Sequence, residues 1–163
     1  MSGGSCCEAR RSVGDRTADD LLRDLVTILL VEDDPDDAML TELALRQGIS
    51  AQLEIARDGQ EALDYLSNEA NEIPRLVLLD LRLPSVNGLE VLKRIRGHHR
   101  TRLIPVVIVT NSSAPSDVAA AYQYGTNSYI RKPAAFDQFA ELLRLIGSYW
   151  LVANEPPPNM PGD

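Results

Sequence analysis

Carboxylates, a hydroxyl and an amine stand at the ends of four short apolar runs in this chain. Ile28-Leu29-Leu30-Val31 leads into Glu32, Asp33 and Asp34, and Leu76-Val77-Leu78-Leu79 leads into Asp80. Pro105 to Val109 ends in Thr110, and Ser128-Tyr129-Ile130-Arg131 ends in Lys132-Pro133. Brought onto one rim, Glu32, Asp33 and Asp80 offer the hard oxygen ligands that Mg²⁺ takes while keeping several waters. Crowded carboxylates raise one another's pKa unless a cation compensates them, so the cluster itself argues for a metal. Asp80 then reads as a nucleophile for phosphoryl transfer, with Lys132 clamping one oxygen of the moving group and Thr110 donating a hydrogen bond to another. A cis peptide at Lys132-Pro133 is one way to aim the amine inward.

Each residue also has an ordinary reading. Strand-end acids are commonly helix caps or solvated loop positions, and a terminal Thr or a Lys-Pro pair is commonplace. The functional reading rests on the conjunction, because four strand ends with matched chemistry do not easily arise by accident.

The elements that must position these groups follow from the pattern. Short apolar runs separated by helical periods read as strands buried on both faces of a parallel sheet. The strand Thr27 to Val31 leads to a helix from Asp36 to Gln47, with Asp34-Pro35 as N-cap and first-turn proline and Gly48 at a left-handed C-cap. A strand from Gln52 to Ala56 precedes Asp58-Gly59 and a helix through Ala62, Leu63 and Leu66. Asn68 to Pro74 reads as a surface loop, and Leu83 to Gly88 is dense in turn residues. Helices are expected at Leu89 to Arg96, Ser116 to Tyr124 and Ala135 to Val152, with a strand near Asn127 to Ile130. Five such βα units imply a doubly wound, five-stranded parallel sheet flanked by five helices, in the flavodoxin-like manner. Functional groups on such a sheet collect in the crevice beyond the carboxyl ends of the strands.

Length and composition narrow the class. At 163 residues the chain fits one domain with extensions, and 44% hydrophobic with 25% charged residues is an ordinary globular composition. A formal net charge of −8 argues against a nucleic-acid surface. The basic stretch from Lys93 to Arg102 is interrupted by Gly97, His98 and His99 and reads as a solvated helix end. No window approaches the ~18 consecutive apolar residues of a membrane span, and no secretory signal is visible, which points to the cytoplasm and away from a membrane. Cys6 and Cys7 are adjacent in a polar tail and form neither a disulfide framework nor a metal site. Residues 1–24 read as a flexible extension with a short helical turn from Thr17 to Leu25, and residues 154–163 as a disordered Pro-rich tail.

With these residues in order, the chain resembles the receiver domain of two-component response regulators over Thr27 to Val152. The features that carry the resemblance are Glu32-Asp33, Asp80, Thr110, Tyr129 and Lys132-Pro133, together with Asp80-Leu81-Arg82-Leu83-Pro84 followed by Asn87-Gly88. The domain then spans 25–153. The resemblance implies that Asp80 accepts a phosphoryl group from a phosphohistidine on a sensor histidine kinase. It implies Mg²⁺ ligation by Glu32 or Asp33, Asp80 and the backbone carbonyl of Arg82. It also implies that Thr110 and Tyr129 act as the switch, Thr110 moving toward the phosphoryl group and Tyr129 into the space vacated. Catalysis would be confined to the protein's own phosphorylation and dephosphorylation. Among receivers, the Asn68 to Pro74 segment and the Gly147-Ser148-Tyr149-Trp150 helix end are most similar to single-domain regulators of bacterial and cyanobacterial phytochromes. Two departures are mild: Glu32 replaces an aspartate found in some receivers, and Asn111 follows Thr110 where alanine is frequent.

Two other classes remain open at this stage. A phosphatase of the haloacid dehalogenase type resembles this rim but carries a second aspartate two positions after the nucleophile, where Arg82 stands here. A pseudo-receiver acting only as an interaction module is disfavoured by the presence of Asp80, Thr110 and Lys132. The last helix adds a separate signal. Phe136, Phe139, Leu143, Ile146 and Trp150 form a stripe suited to docking on the sheet. Leu142, Leu145, Tyr149 and Val152 form a second stripe beside it, so the apolar face covers roughly 200°, against the ~100° an ordinary surface helix buries. That excess predicts a homodimer through the second stripe, the alternative being that the N-terminal segment with Leu21, Leu22 and Leu25 packs against it.

Overall fold

The computed structural model describes residues 26–47 and 50–157. The helical turn at Thr17 to Leu25, the N-terminal extension with Cys6 and Cys7, the Gly48 cap and the end of the tail lie outside the described residues.

Strands β1 (Thr27–Val31), β2 (Gln52–Ala56), β3 (Leu76–Leu79), β4 (Val106–Thr110) and β5 (Ser128–Arg131) alternate with helices α1 (Pro35–Arg46), α2 (Gly59–Ser67), α3 (Gly88–Gly97), α4 (Pro115–Gln123) and α5 (Phe136–Ser148). All pairings are parallel and the sheet order is β2-β1-β3-β4-β5. Successive side chains of a strand point to opposite faces, which divides the core in two. Leu29, Val31, Val77, Leu79, Val106 and Ile108 meet α2, α3 and α4 on one face. Ile28, Leu30, Leu76, Leu78, Val107 and Val109 meet α1 and α5 on the other. Every residue of β1, β3 and β4 is buried, which is why these strands read as unbroken apolar runs.

The starts of α1, α2 and α3 are set by side-chain caps, while α4 and α5 follow Ala114 and Ala135 and have none. Asp34 Oδ1 accepts from the amides of Asp36 and Asp37 at 2.9 and 3.0 Å, Asp58 Oδ1 accepts from Glu61 N at 2.8 Å, and Asn87 Oδ1 accepts from Glu90 N at 3.0 Å. Such caps are worth about 1 kcal/mol each, and they fix where the loops at the carboxyl rim stop.

Four local expectations need correction. The segment Asn68 to Pro74 is not simply a surface loop, since Ile73 and Pro74 are buried. The guanidinium of Arg100 donates to the carbonyls of Leu66, Asn68 and Asn71 at 2.7–3.1 Å and pins it down. The stretch Lys93 to Arg102 is likewise not a freely solvated end. Arg96 donates to the carbonyls of Gly125, Arg102 and Ile104 and to Asn127 Oδ1, tying α3 to the loops that lead into β4 and β5. A planar fork with five donors suits this bridging, and its partners lie too far off in sequence for spacing to reveal them.

The last helix does not run straight to Val152. It ends at Ser148 and continues as a π-helical turn, Tyr149–Ala153, closed by Asn154 N donating to Tyr149 O at 2.7 Å. Finally, the peptide bonds among the described residues are trans, that of Lys132-Pro133 included. No helix among the described residues is long and apolar enough to cross a membrane.

Candidate functional site at the carboxyl rim

The sheet order reverses at β1, whose neighbours β2 and β3 lead their chains to opposite sides, and this opens a crevice over β1 and β3. Glu32 follows β1 and continues its alternation inward, while Asp33, one residue on, points outward. Glu32 is 3% exposed and Asp33 is exposed. Backbone bonds hold the two central acids in register: Glu32 N donates to Ala56 O and Asp80 N donates to Val31 O, both at 3.0 Å. On the far side, Lys132 N donates to Thr110 O at 2.9 Å and so fixes the base of the amine.

The side chains meet around Lys132. Its ammonium donates to Glu32 Oε2 at 2.6 Å, Asp37 Oδ2 at 2.7 Å and Asp80 Oδ2 at 3.0 Å. The other carboxylate oxygen of Asp80 accepts from Thr110 Oγ1 at 2.8 Å and from Arg82 N at 3.0 Å. Asp80 and Thr110 are buried, Thr110 completely. Thr110 Oγ1 also accepts from Ser112 N at 3.3 Å, and the Tyr129 hydroxyl donates to Ser112 O at 3.0 Å. A continuous chain of hydrogen bonds thus runs from Asp80 through Thr110 and Ser112 to Tyr129.

Electrostatics follow from burial. Desolvation pushes the Glu32 carboxyl up to about 6, despite the opposing pull of Lys132. For Lys132 burial acts downward, but hydrogen bonds to Asp37 and Glu32 and the charge of Asp80 outweigh it and hold the ammonium well above its usual value. One ammonium against three carboxylates leaves negative charge over in a site of low polarity.

The loop that closes the site depends on two glycines. A Cβ on Gly88 would stand 2.2 Å from the carbonyl oxygen of Asp80, and one on Gly59 would stand 2.1 Å from that of Val86. The loop Leu81 to Asn87 therefore packs directly on backbone at both ends. Gly88 N donates to Leu81 O at 3.1 Å, and Ser85 adopts φ 63° to make the turn. A left-handed serine costs about 1–2 kcal/mol, which the two glycine contacts and the Asn87 cap offset.

The expected residues Glu32, Asp80, Thr110 and Lys132 are brought together, with the backbone of Arg82 beside them. Asp33 is not at the amine, and Asp37 takes the third place. Asp37 looked like an ordinary first-turn acid, yet it shares the inward stripe of α1 with the buried Thr41, Ala44 and Leu45. An acid opening a buried stripe was the available signal. Ser112, buried two residues beyond Thr110, had no such signal. Among the described residues no three acid, histidine or cysteine side chains surround an open cation position. The donor chemistry nevertheless fits a hard divalent ion, because Glu32 and Asp80 are buried oxygens with surplus negative charge.

Comparison with known proteins identifies this geometry. The model of the response regulator receiver domain matches residues 28–144. This chain belongs to that family. Phosphorylation-driven signalling is the family's general function, and a sensor kinase is the partner such a domain implies. Response regulator Rcp1 of Synechocystis is 37% identical over 129 residues, covering 76% of this chain and 88% of Rcp1. The probable methanogenesis regulatory protein FilR2 of Methanothrix harundinacea is 45% identical over 134 residues, covering 80% of this chain and 86% of FilR2. Among solved structures, the phosphorylated cyanobacterial phytochrome response regulator RcpA superposes with a TM-score of 0.76 at 34% identity, over 82% of this chain and 99% of RcpA. The Mn²⁺-bound form of Rcp1 gives the same TM-score at 36% identity, over 81% of this chain and 99% of Rcp1. The resemblance to receivers drawn from the strand-end residues is borne out, as is that to phytochrome regulators drawn from Asn68 to Pro74 and the Gly147-Ser148-Tyr149-Trp150 helix end.

Proposed function

We propose that Asp80 is the phosphoacceptor and that the chain catalyses its own phosphorylation and dephosphorylation there. The observation that carries this reading is the donor arrangement about one buried carboxylate, with Thr110 and Arg82 N on one oxygen and Lys132 on the other. In the transfer a carboxylate oxygen of Asp80 forms a bond to phosphorus while the donor's P–N bond, in a kinase phosphohistidine, breaks. Lys132 and Thr110 then turn their hydrogens to the phosphoryl oxygens. These donors are already in place, so little reorganisation is needed as charge moves.

Glu32, Asp33, Asp80 and the carbonyl of Arg82 would hold Mg²⁺. When bound, that ion supplies positive charge to the transferring oxygens. Thr110 and Tyr129 form the switch, supported by the chain of hydrogen bonds that joins them through Ser112. A phytochrome-class kinase acting in the cytoplasm is the partner we favour, on the strength of the likeness to RcpA.

A homodimer through α5 is the remaining part of the reading. Leu145, Tyr149 and Val152 are exposed at 58%, 55% and 82%, large apolar surface for one helix end. Leu142 is half-buried against the chain's own core and would contribute less. Phe136, expected to dock on the sheet, is 37% exposed and lies at the same surface level.

Intact-mass measurement tests the acceptor. Incubation with Mg²⁺ and an acyl phosphate should add one phosphoryl group to the chain and none to Asp80→Asn. An undiminished adduct in the variant would move the acceptor elsewhere.

A further inference from the structure

The geometry points to Asp37 as a positioning residue for Lys132, an anchor that holds the amine in place when Asp80 lets it go. This rests on the reading of Asp80 as phosphoacceptor. An ammonium has three N–H donors, and all three are engaged here, by Glu32, Asp37 and Asp80. The bond to Asp80 is the longest at 3.0 Å, against 2.6 and 2.7 Å for the other two. When a phosphoryl oxygen needs one of these hydrogens, the weakest bond is the one to be exchanged. Glu32 and Asp37 then hold the nitrogen from two sides.

The place of Asp37 in α1 supports a role beyond helix formation. The amides at this helix start are already capped by Asp34, including that of Asp37 itself. The carboxylate of Asp37 is therefore free of capping work and reaches across to a residue 95 positions away. Its side chain is 31% exposed, while those of Glu32 and Lys132 are 4% and 6% exposed. Asp37 thus stands at the mouth of the crevice and pulls the ammonium outward, toward an entering phosphoryl group. Without it, the two buried acids would draw the ammonium inward onto Asp80. Small displacements of a positioned group can cost large factors in rate, so the effect should be measurable.

The test compares Asp37→Ala, which removes the acceptor, with Asp37→Asn, which keeps an oxygen at the same reach. Both sit at a partly exposed position and should fold. The phosphorylation rate is measured by intact mass against acyl phosphate concentration with Mg²⁺ present. The ¹⁵N resonance of Lys132 Nζ is recorded separately in the unphosphorylated protein. We expect Asp37→Ala to lower the saturating rate by roughly tenfold with the donor KM unchanged, since Asp37 does not touch the donor. Its Nζ resonance should shift. Asp37→Asn should remain within about threefold of wild type, its Nζ resonance staying close. A rate in Asp37→Ala equal to or above wild type, an unmoved Nζ resonance, or equal impairment by Asn would each overturn the assignment. Failure of the acceptor reading shows differently, as a phosphoryl adduct that survives Asp80→Asn while the Nζ shift in Asp37→Ala is unaffected by that outcome.

Discussion

Replacing Glu32 with glutamine should stabilise the metal-free protein, and only above a definite pH. Burial raises the Glu32 carboxyl from 4.5 to about 6. The native state therefore binds a proton more readily than the unfolded chain between those values, and stability falls as pH rises through that window. The displacement corresponds to about 2 kcal/mol, at 1.36 kcal/mol per pKa unit. Glutamine keeps one acceptor oxygen, enough for Lys132 Nζ, and gives up the longer 3.2 Å bond from Asp34 N, which lies on the other oxygen of Glu32. It removes the charge that must otherwise be kept out of water. Urea denaturation in EDTA should give Glu32→Gln an advantage of about 1 kcal/mol at pH 8, the charge relief of about 2 kcal/mol less about 1 kcal/mol for the lost hydrogen bond, and the advantage should vanish as pH falls toward 4.5. Saturating Mg²⁺ should reverse the order, because a ligand at 100 times its Kd adds about 2.7 kcal/mol to whichever form binds it. Equal stability of the two proteins at pH 8 without a divalent ion would refute the reasoning, as would an advantage that persists unchanged at pH 4.5.

The remaining predictions concern the loops, the switch and the α5 face. Gly88→Ala should destabilise the fold by about 1–3 kcal/mol and slow phosphorylation, because its Cβ would meet the carbonyl of Asp80; thermal unfolding and intact mass check this. Arg100→Met should remove the guanidinium from the carbonyls of Leu66, Asn68 and Asn71, of which Asn68 keeps the amide of Asn71, costing about 1–3 kcal/mol and accelerating amide exchange over residues 68–74 before the rest of the chain. Thr110→Ala should still accept a phosphoryl group but lose the change in amide exchange at Ser112 and Tyr129 that wild type shows on phosphorylation. Paired Leu145→Asp and Val152→Asp substitutions should convert a dimer to a monomer by light scattering, with a wild-type monomer at high concentration contradicting the α5 interface.

How much of this could be read from the residues depended on distance along the chain. Strands β1, β3 and β4 were legible because burial on both faces leaves uninterrupted apolar runs, and the starts of α1 to α3 because their caps lie within three residues. The end of α5 was not, because a π-helical turn at Tyr149–Ala153 preserves the apolar composition while changing the winding. Arg96 and Arg100 looked like solvent-facing charges, since their carbonyl partners come from loops 6 to 34 residues away. Asp33 and Asp37 show the same limit at the site. Both are acids at the start of α1, and only the inward turn of the helix decides which of them meets Lys132.

The proposed switch of Thr110 and Tyr129 can be weighed from the bonds that phosphorylation would have to rearrange. Thr110 Oγ1 now donates to Asp80 and accepts from Ser112 N, so its hydroxyl is held from two sides. Turning it to a phosphoryl oxygen exchanges one charge-assisted hydrogen bond for another, and such bonds are worth about 1.5–3 kcal/mol. A difference of even 1.4 kcal/mol between the two arrangements shifts their populations tenfold, and 2.8 kcal/mol shifts them a hundredfold. The weak 3.3 Å contact from Ser112 N would be stretched first, and Ser112 is the residue whose carbonyl holds Tyr129. The buried segment from Asp80 to Ser112 thus has little slack, while Tyr129 at its far end is only half-buried. In the proposed switch, movement of the Thr110 hydroxyl toward the phosphoryl group loosens its link to Ser112, and the half-buried Tyr129 ring, held by the Ser112 carbonyl, turns into the space vacated.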